Sequence, residues 1–176
     1  MSLLRTYRHL LKNHFVVIQA AQTGLLMGVG DVLAQTVVEK KSFKEYKVQR
    51  TAKFVFLGVA FVGPTLSLWY KLLARKFGTQ MSPALTLKKV ACDQLLFAPS
   101  FLAVFITNIN LLNGRSFDLI KKELSSNYKD LLVANWKLWP AVQLINFYVV
   151  PLNYQVLVVQ SVAILWNTYL SWKTHS

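Results

Sequence analysis

Four stretches of this chain, residues 15–38, 52–74, 90–112 and 131–150, are apolar over about the 20 residues a helix needs to cross ~30 Å of hydrocarbon. Nothing else in the sequence narrows the fold as much. In lipid every backbone N–H and C=O must be satisfied within the protein, so only helices and closed barrels are viable. Strand-like alternation is nowhere sustained, which leaves helices. A fifth stretch, 155–172, is apolar enough to span or to lie at the interface, and ends in Trp166, Tyr169 and Trp172, residue types that favour the head-group layer. The expected fold is all-α: a polytopic membrane helical bundle with four to five membrane-embedded helices, in one domain over residues 1–176. Residues 39–51 and 113–130 read as short polar loops. A short amphipathic helix precedes the bundle, with Arg5, Arg8 and Lys12 against Leu3, Leu4, Tyr7, Leu10 and Leu11. It suits either mitochondrial targeting or a helix lying among head groups.

Composition supports a membrane and weakens other classes. Charged residues are 15% of the chain, against ~25% in an average soluble domain. The net charge of +13 raises nucleic acid as a partner, but the cations sit between apolar segments. Lys40, Lys41, Lys44, Lys47, Arg50 and Lys53 fill one gap; Lys71, Arg75, Lys76, Lys88 and Lys89 flank the next. That placement fits anionic head groups, and no nucleic-acid-binding motif accompanies it. Counting charges on the two sides of a four-span arrangement leaves the orientation open. Cys92 is the single cysteine and the three histidines lie near the chain ends, so neither an intrachain disulfide nor a metal or cofactor site is expected. No nucleophile–base arrangement or phosphate-cradling loop is present, and no enzyme is expected.

Polar residues inside the apolar stretches carry the functional argument. Ala20, Gly24, Gly28, Asp31 and Gln35 follow helical spacing along one stripe, and Gly30 lies beside the acid. Small residues at every fourth position admit a close helix neighbour. An acid within a span costs ~2.5–3.5 kcal/mol on insertion scales unless it meets water, a cation or donors. The third stretch holds Asp93 and Gln94, with Lys89 one turn earlier and able to pair with Asp93 along the helix. In the fourth, Trp139, Gln143, Asn146 and Val150 share a face; Gln160 and Asn167 do so in the fifth. Pro64, Pro99 and Pro140 each interrupt a stretch, freeing the carbonyls of Ala60, Leu95 and Trp136. Trp69, Trp139, Trp166 and Trp172 are expected at the interface, as is Arg50, paired with phosphate or an acidic side chain.

Many of these residues also carry a resemblance. Trp136, Trp139-Pro140, Gln143, Asn146-Phe147, Val150-Pro151, Trp166-Asn167 and Tyr169-Leu170-Ser171-Trp172 resemble the signature of one membrane family. Upstream, Gly28-Val29-Gly30-Asp31 with Gln35, Gly63-Pro64 with Trp69-Tyr70, and Asp93-Gln94 with Pro99 extend it over nearly the whole chain. The family contains the twenty-two-kilodalton peroxisomal membrane protein and the mitochondrial Mpv-seventeen protein, and the ending resembles the mitochondrial branch. At Gln155 the chain departs from it, since a basic residue is common there. The resemblance implies a relatively unselective channel for small solutes in the mitochondrial inner membrane, linked to nucleotide supply and mitochondrial DNA maintenance. A peroxisomal membrane is the alternative location.

Two readings follow. In one, Asp31, Gln35, Lys89, Asp93, Gln94, Gln143, Asn146 and Asn167 line a hydrated path for small solutes, formed by one copy or a homo-oligomer. In the other, the chain is a non-conducting scaffold or assembly factor whose polar residues join helices.

Overall fold

The structure, a computed structural model, describes the backbone of residues 3–175 and the side chains of residues 5–7 and 9–165. All elements among the described residues are helical: α1 (Leu3–Asn13), α2 (Phe15–Val38), α3 (Val48–Phe77), α4 (Pro83–Leu112), α5 (Phe117–Val149) and α6 (Leu152–His175). Breaks between them have local causes. Gly78, at φ +84°, ends α3 in a backbone region that disfavours side chains. Pro83 then opens α4, where a missing N–H costs no helical bond.

Among the described residues three helices, α2, α3 and α4, are long and apolar enough to cross a membrane, fewer than the four to five expected. In the fourth stretch Asn135, Lys137, Gln143 and Asn146 dilute the apolar character of α5. In α6, Leu152–Leu165 is an apolar helical stretch, and the rest of the fifth stretch lies outside the residues whose side chains are described. Residues 113–130, expected as a loop, are mostly the first turns of α5. Asp118 lies in its first turn, where the helix dipole favours an acid, and Ile120 is buried.

The three spanning helices each contain a wide π turn: Ala34–Val38, Gly58–Val62 and Asp93–Phe97. Two of them lie directly before a proline. Gly63 N–H bonds to the Gly58 carbonyl ahead of Pro64, and Ala98 N–H bonds to the Asp93 carbonyl ahead of Pro99. Widening the turn moves the carbonyl that a proline ring would strike and shifts the hydrogen-bond register by one. The carbonyl left without its backbone donor near Pro99 is therefore that of Gln94, one residue before the Leu95 expected from α-helical register. Pro140 lies inside α5, which continues through it as α-helix.

The described backbone falls into two compact units, one running to Leu72 and resuming at Leu152, the other Leu73–Pro151. In the first, α2 packs against both α3 and α6. The α2–α3 crossing is close because glycines face each other: a Cβ on Gly58 would stand 2.6 Å from Gly24 Cα, and one on Gly63 2.6 Å from Ala20 Cα. A Cβ on Gly30 would lie 3.4 Å from Ile164 of α6, an ordinary contact. Meanwhile Val17, Leu25, Val29 and Val37 of α2 are exposed while Gln19, Thr23, Asp31 and Gln35 are buried. Apolar outside and polar inside is the arrangement suited to lipid as the solvent. In the second unit α5 packs against α4.

Candidate functional site

Each unit holds a buried polar seam. In the first, the stripe of α2 carries Asp31 one turn before its end at Gln35, and the Asp31 residue is 4% exposed. Arg50, near the start of α3, brings Nε to 2.6 Å from Asp31 Oδ1. Thr51 Oγ1 donates to Asp31 Oδ2 at 2.6 Å, and Gln35 Nε2 donates to the same oxygen at 2.8 Å. Because the Thr51 proton goes to Asp31, the Tyr46 hydroxyl, 2.7 Å away, donates to Thr51. Gln35 is held from both ends, its Oε1 accepting the Lys47 N–H at 2.9 Å and its Nε2 reaching the Lys47 carbonyl at 3.2 Å. The second edge of Arg50 donates through Nη1 to Glu39 Oε1 at 2.6 Å, and Lys41 pairs with the other Glu39 oxygen. Partial burial pushes the Glu39 carboxyl up, but the hydrogen bonds and charges of Lys41 and Arg50 outweigh it and hold the group below its ordinary value.

The result is a brace that ties the end of α2 to the start of α3 through a guanidinium bridging two carboxylates. Arg50 thus pairs with acidic side chains, one of the two partners its sequence position suggested. Further along α2, Gln19 Nε2 donates to the Asn153 carbonyl of α6 at 2.8 Å, and Gln22 Nε2 to the Tyr7 hydroxyl of α1 at 2.7 Å.

The second seam joins α4 and α5. Asp93 is 2% exposed, and its Oδ2 accepts from Gln94 Nε2 at 2.8 Å and from Gln143 Nε2 of α5 at 3.1 Å. Gln143 Oε1 in turn accepts from Asn146 Nδ2 at 3.0 Å. The Gln94 carbonyl, released by the π turn and Pro99, receives the Trp136 indole N–H at 3.0 Å. Tyr128 OH donates to the Pro99 carbonyl at 2.8 Å. Partners on α5 run 128, 136, 143 as those on α4 run 99, 94, 93, so the two helices are antiparallel. Lys89 is buried at 4% exposure and takes part in none of the ion pairs formed among the described residues. A lysine in such surroundings costs energy unless water or an anion reaches it.

The expected site residues therefore divide. Asp31 and Gln35, with Arg50, belong to the brace; Lys89, Asp93, Gln94, Gln143 and Asn146 share the second unit. Gly24 and Gly28 face α3, where a Cβ on Gly28 would meet Val55 at 2.7 Å. Trp69 and Trp139 are half-buried. Asn167, Trp166 and Trp172 lie outside the residues whose side chains are described. Spacing within single helices missed Thr51, Tyr46, Glu39 and Trp136. Only the carbonyl freed near Pro99 gave a signal, because it required some donor. Among the described residues no group of His, Cys, Asp and Glu is arranged to hold a metal ion.

Residues 110–171 match the model of the Mpv17 / PMP22 family. Over 176 residues the chain is 46% identical to the mitochondrial inner membrane protein Mpv17 of Homo sapiens, covering 99% of each chain. It is 44% identical over 173 residues to the Xenopus laevis protein of the same description, covering 98% of this chain and 97% of that one. Protein sym-1 of Neurospora crassa is 39% identical over 171 residues, 97% of this chain and 98% of the relative. No solved structure matches the chain significantly.

Proposed function

The chain belongs to the Mpv17 / PMP22 family, and on that premise we propose that it provides a hydrated path for small solutes across its membrane. Its full-length relatives are mitochondrial inner membrane proteins, and that is the location of this chain. The observation carrying the proposal is Lys89, a cation buried in a spanning helix outside any ion pair of the described residues, one turn from Asp93. Two charges of opposite sign on one helix, with carboxamides supplied by α5, can hydrate a narrow path without fixing a strong preference for either ion sign. The chain acts without catalysis in this reading, as one copy or a homo-oligomer. The family resemblance implies a link to nucleotide supply and mitochondrial DNA maintenance, which makes small phosphorylated metabolites the first solutes to assay.

The purified chain in planar bilayers tests this. Conductance is expected, with Lys89→Gln shifting the reversal potential toward cations and Asp93→Asn shifting it toward anions. Wild-type reversal potentials in both variants would remove the second seam from the path. A folded chain that never conducts would leave the non-conducting scaffold, the reading favoured by the first unit, where Asp31 is occupied by Arg50, Thr51 and Gln35.

A further inference from the structure

We infer that the loop between α2 and α3, residues 39–47, is a seat for the head groups of anionic phospholipids. The inference goes beyond permeation and does not depend on it. The loop joins the ends of two spanning helices, at Val38 and Val48, so it meets the membrane surface wherever those helices cross. Its shape is fixed from inside the protein. Lys41 N–H bonds to the Gln35 carbonyl at 3.0 Å, while Lys47 N–H bonds to the Gln35 side chain at 2.9 Å. Between these anchors a turn closes where Glu45 N–H bonds to the Ser42 carbonyl at 3.0 Å.

Both acids of the loop are used internally. Glu39 is held by Lys41 and Arg50, and Glu45 accepts from Ser42 N–H at 3.1 Å and from Ser42 Oγ at 2.8 Å. Those Ser42 hydrogen bonds, backbone first, keep the exposed Glu45 carboxyl below its ordinary value and so charged, with one oxygen engaged by the turn itself. Lys40, Lys44 and Lys47 remain exposed. Phe43 and Lys44 are the two central residues of the turn, and Phe43 is fully exposed. A bare aromatic ring beside an ammonium at the apex of a rigid loop suits insertion at acyl-chain depth with the charge at phosphate depth. Lys40 also keeps a left-handed backbone, φ +49°, where glycine would be the unstrained choice.

The test measures binding of fluorescent phosphatidylglycerol and phosphatidylcholine to the full chain in detergent. The variants are Lys40→Gly with Lys44→Gln and Lys47→Gln, Lys44→Gln alone, and Phe43→Ser. Lys40→Gly suits the backbone there, and Lys44 stands at an exposed apex, so folding is preserved and is checked by thermal melting. The wild-type chain is expected to prefer phosphatidylglycerol. Loss of three lysines is expected to cut that preference on the order of tenfold and loss of Lys44 a few-fold, while Phe43→Ser weakens both lipids alike. An unchanged preference in the folded triple variant overturns the inference. So does full displacement of phosphatidylglycerol by inorganic phosphate at equal concentration, which would mark a site for soluble anions.

Discussion

Asp31 and Asp93 are the same residue type in the same kind of helix, and the two units treat them differently. Asp31 faces a guanidinium that enters from a neighbouring helix, and hydroxyl and carboxamide donors complete its surroundings. Asp93 is met by the carboxamides of Gln94 and Gln143, with a buried lysine one turn away. The first arrangement spends the charge on holding two helices and a loop together. The second surrounds Asp93 with carboxamides from its own helix and from α5, and keeps Lys89 buried outside the ion pairs of the described residues. Backbone packing follows the same division: α2 and α3 touch through glycine, whereas α4 and α5 are joined by side-chain donors reaching across to α4.

The largest effect should come from filling the glycine contact. Gly58→Leu would drive a side chain into the α2 backbone, and a loss of ~3 kcal/mol or more is expected from overpacking. Thermal unfolding of the purified chain measures it; wild-type stability would mean that α2 and α3 do not meet there. Next, Asp31→Asn should cost ~1–3 kcal/mol, below the full value for breaking a buried pair because Arg50 keeps Glu39 and its side chain is 35% exposed. Asp93→Asn should cost less, since a carboxamide oxygen can accept the same donors. The reverse order would erase the distinction between brace and seam.

Trp136→Phe should cost ~1 kcal/mol by stripping the Gln94 carbonyl of its donor, and Trp136→His should recover part of that if a ring N–H can reach. The smallest effect is pH. Glu39 in the folded chain lies below its ordinary value of 4.5, so its contribution is present above that pH and fades as pH falls through the lowered value. Thermal midpoints of wild type and Glu39→Gln should therefore converge in acid. A constant difference between them down to full protonation would mean the carboxylate is not what holds Arg50.

Much of this was legible in the sequence. Residues of the α2 stripe, Ala20 to Gln35, could be placed on one face because helical periodicity and the aversion of lipid to polar groups are local rules. Among the described residues three helices, not four to five, are long and apolar enough to span, because Asn135, Lys137, Gln143 and Asn146 dilute the apolar length that the fourth stretch shows in sequence. Residues 117–130 are polar yet helical, because polarity on the exposed face of a helix looks the same in sequence as a loop until a buried residue such as Ile120 shows the second face.

The sequence by itself determined that the chain folds as apolar helices with basic joints, because backbone groups in lipid leave few alternatives. Tertiary structure alone decided the partners. Arg50 reaches Asp31 only because facing glycines bring α2 and α3 together, and Trp136 finds the Gln94 carbonyl only because a wide turn before Pro99 shifts which carbonyl is free. Both pairings join residues far apart in the chain, and a register change of one residue within a helix is a compromise between proline sterics and packing that no local pattern encodes.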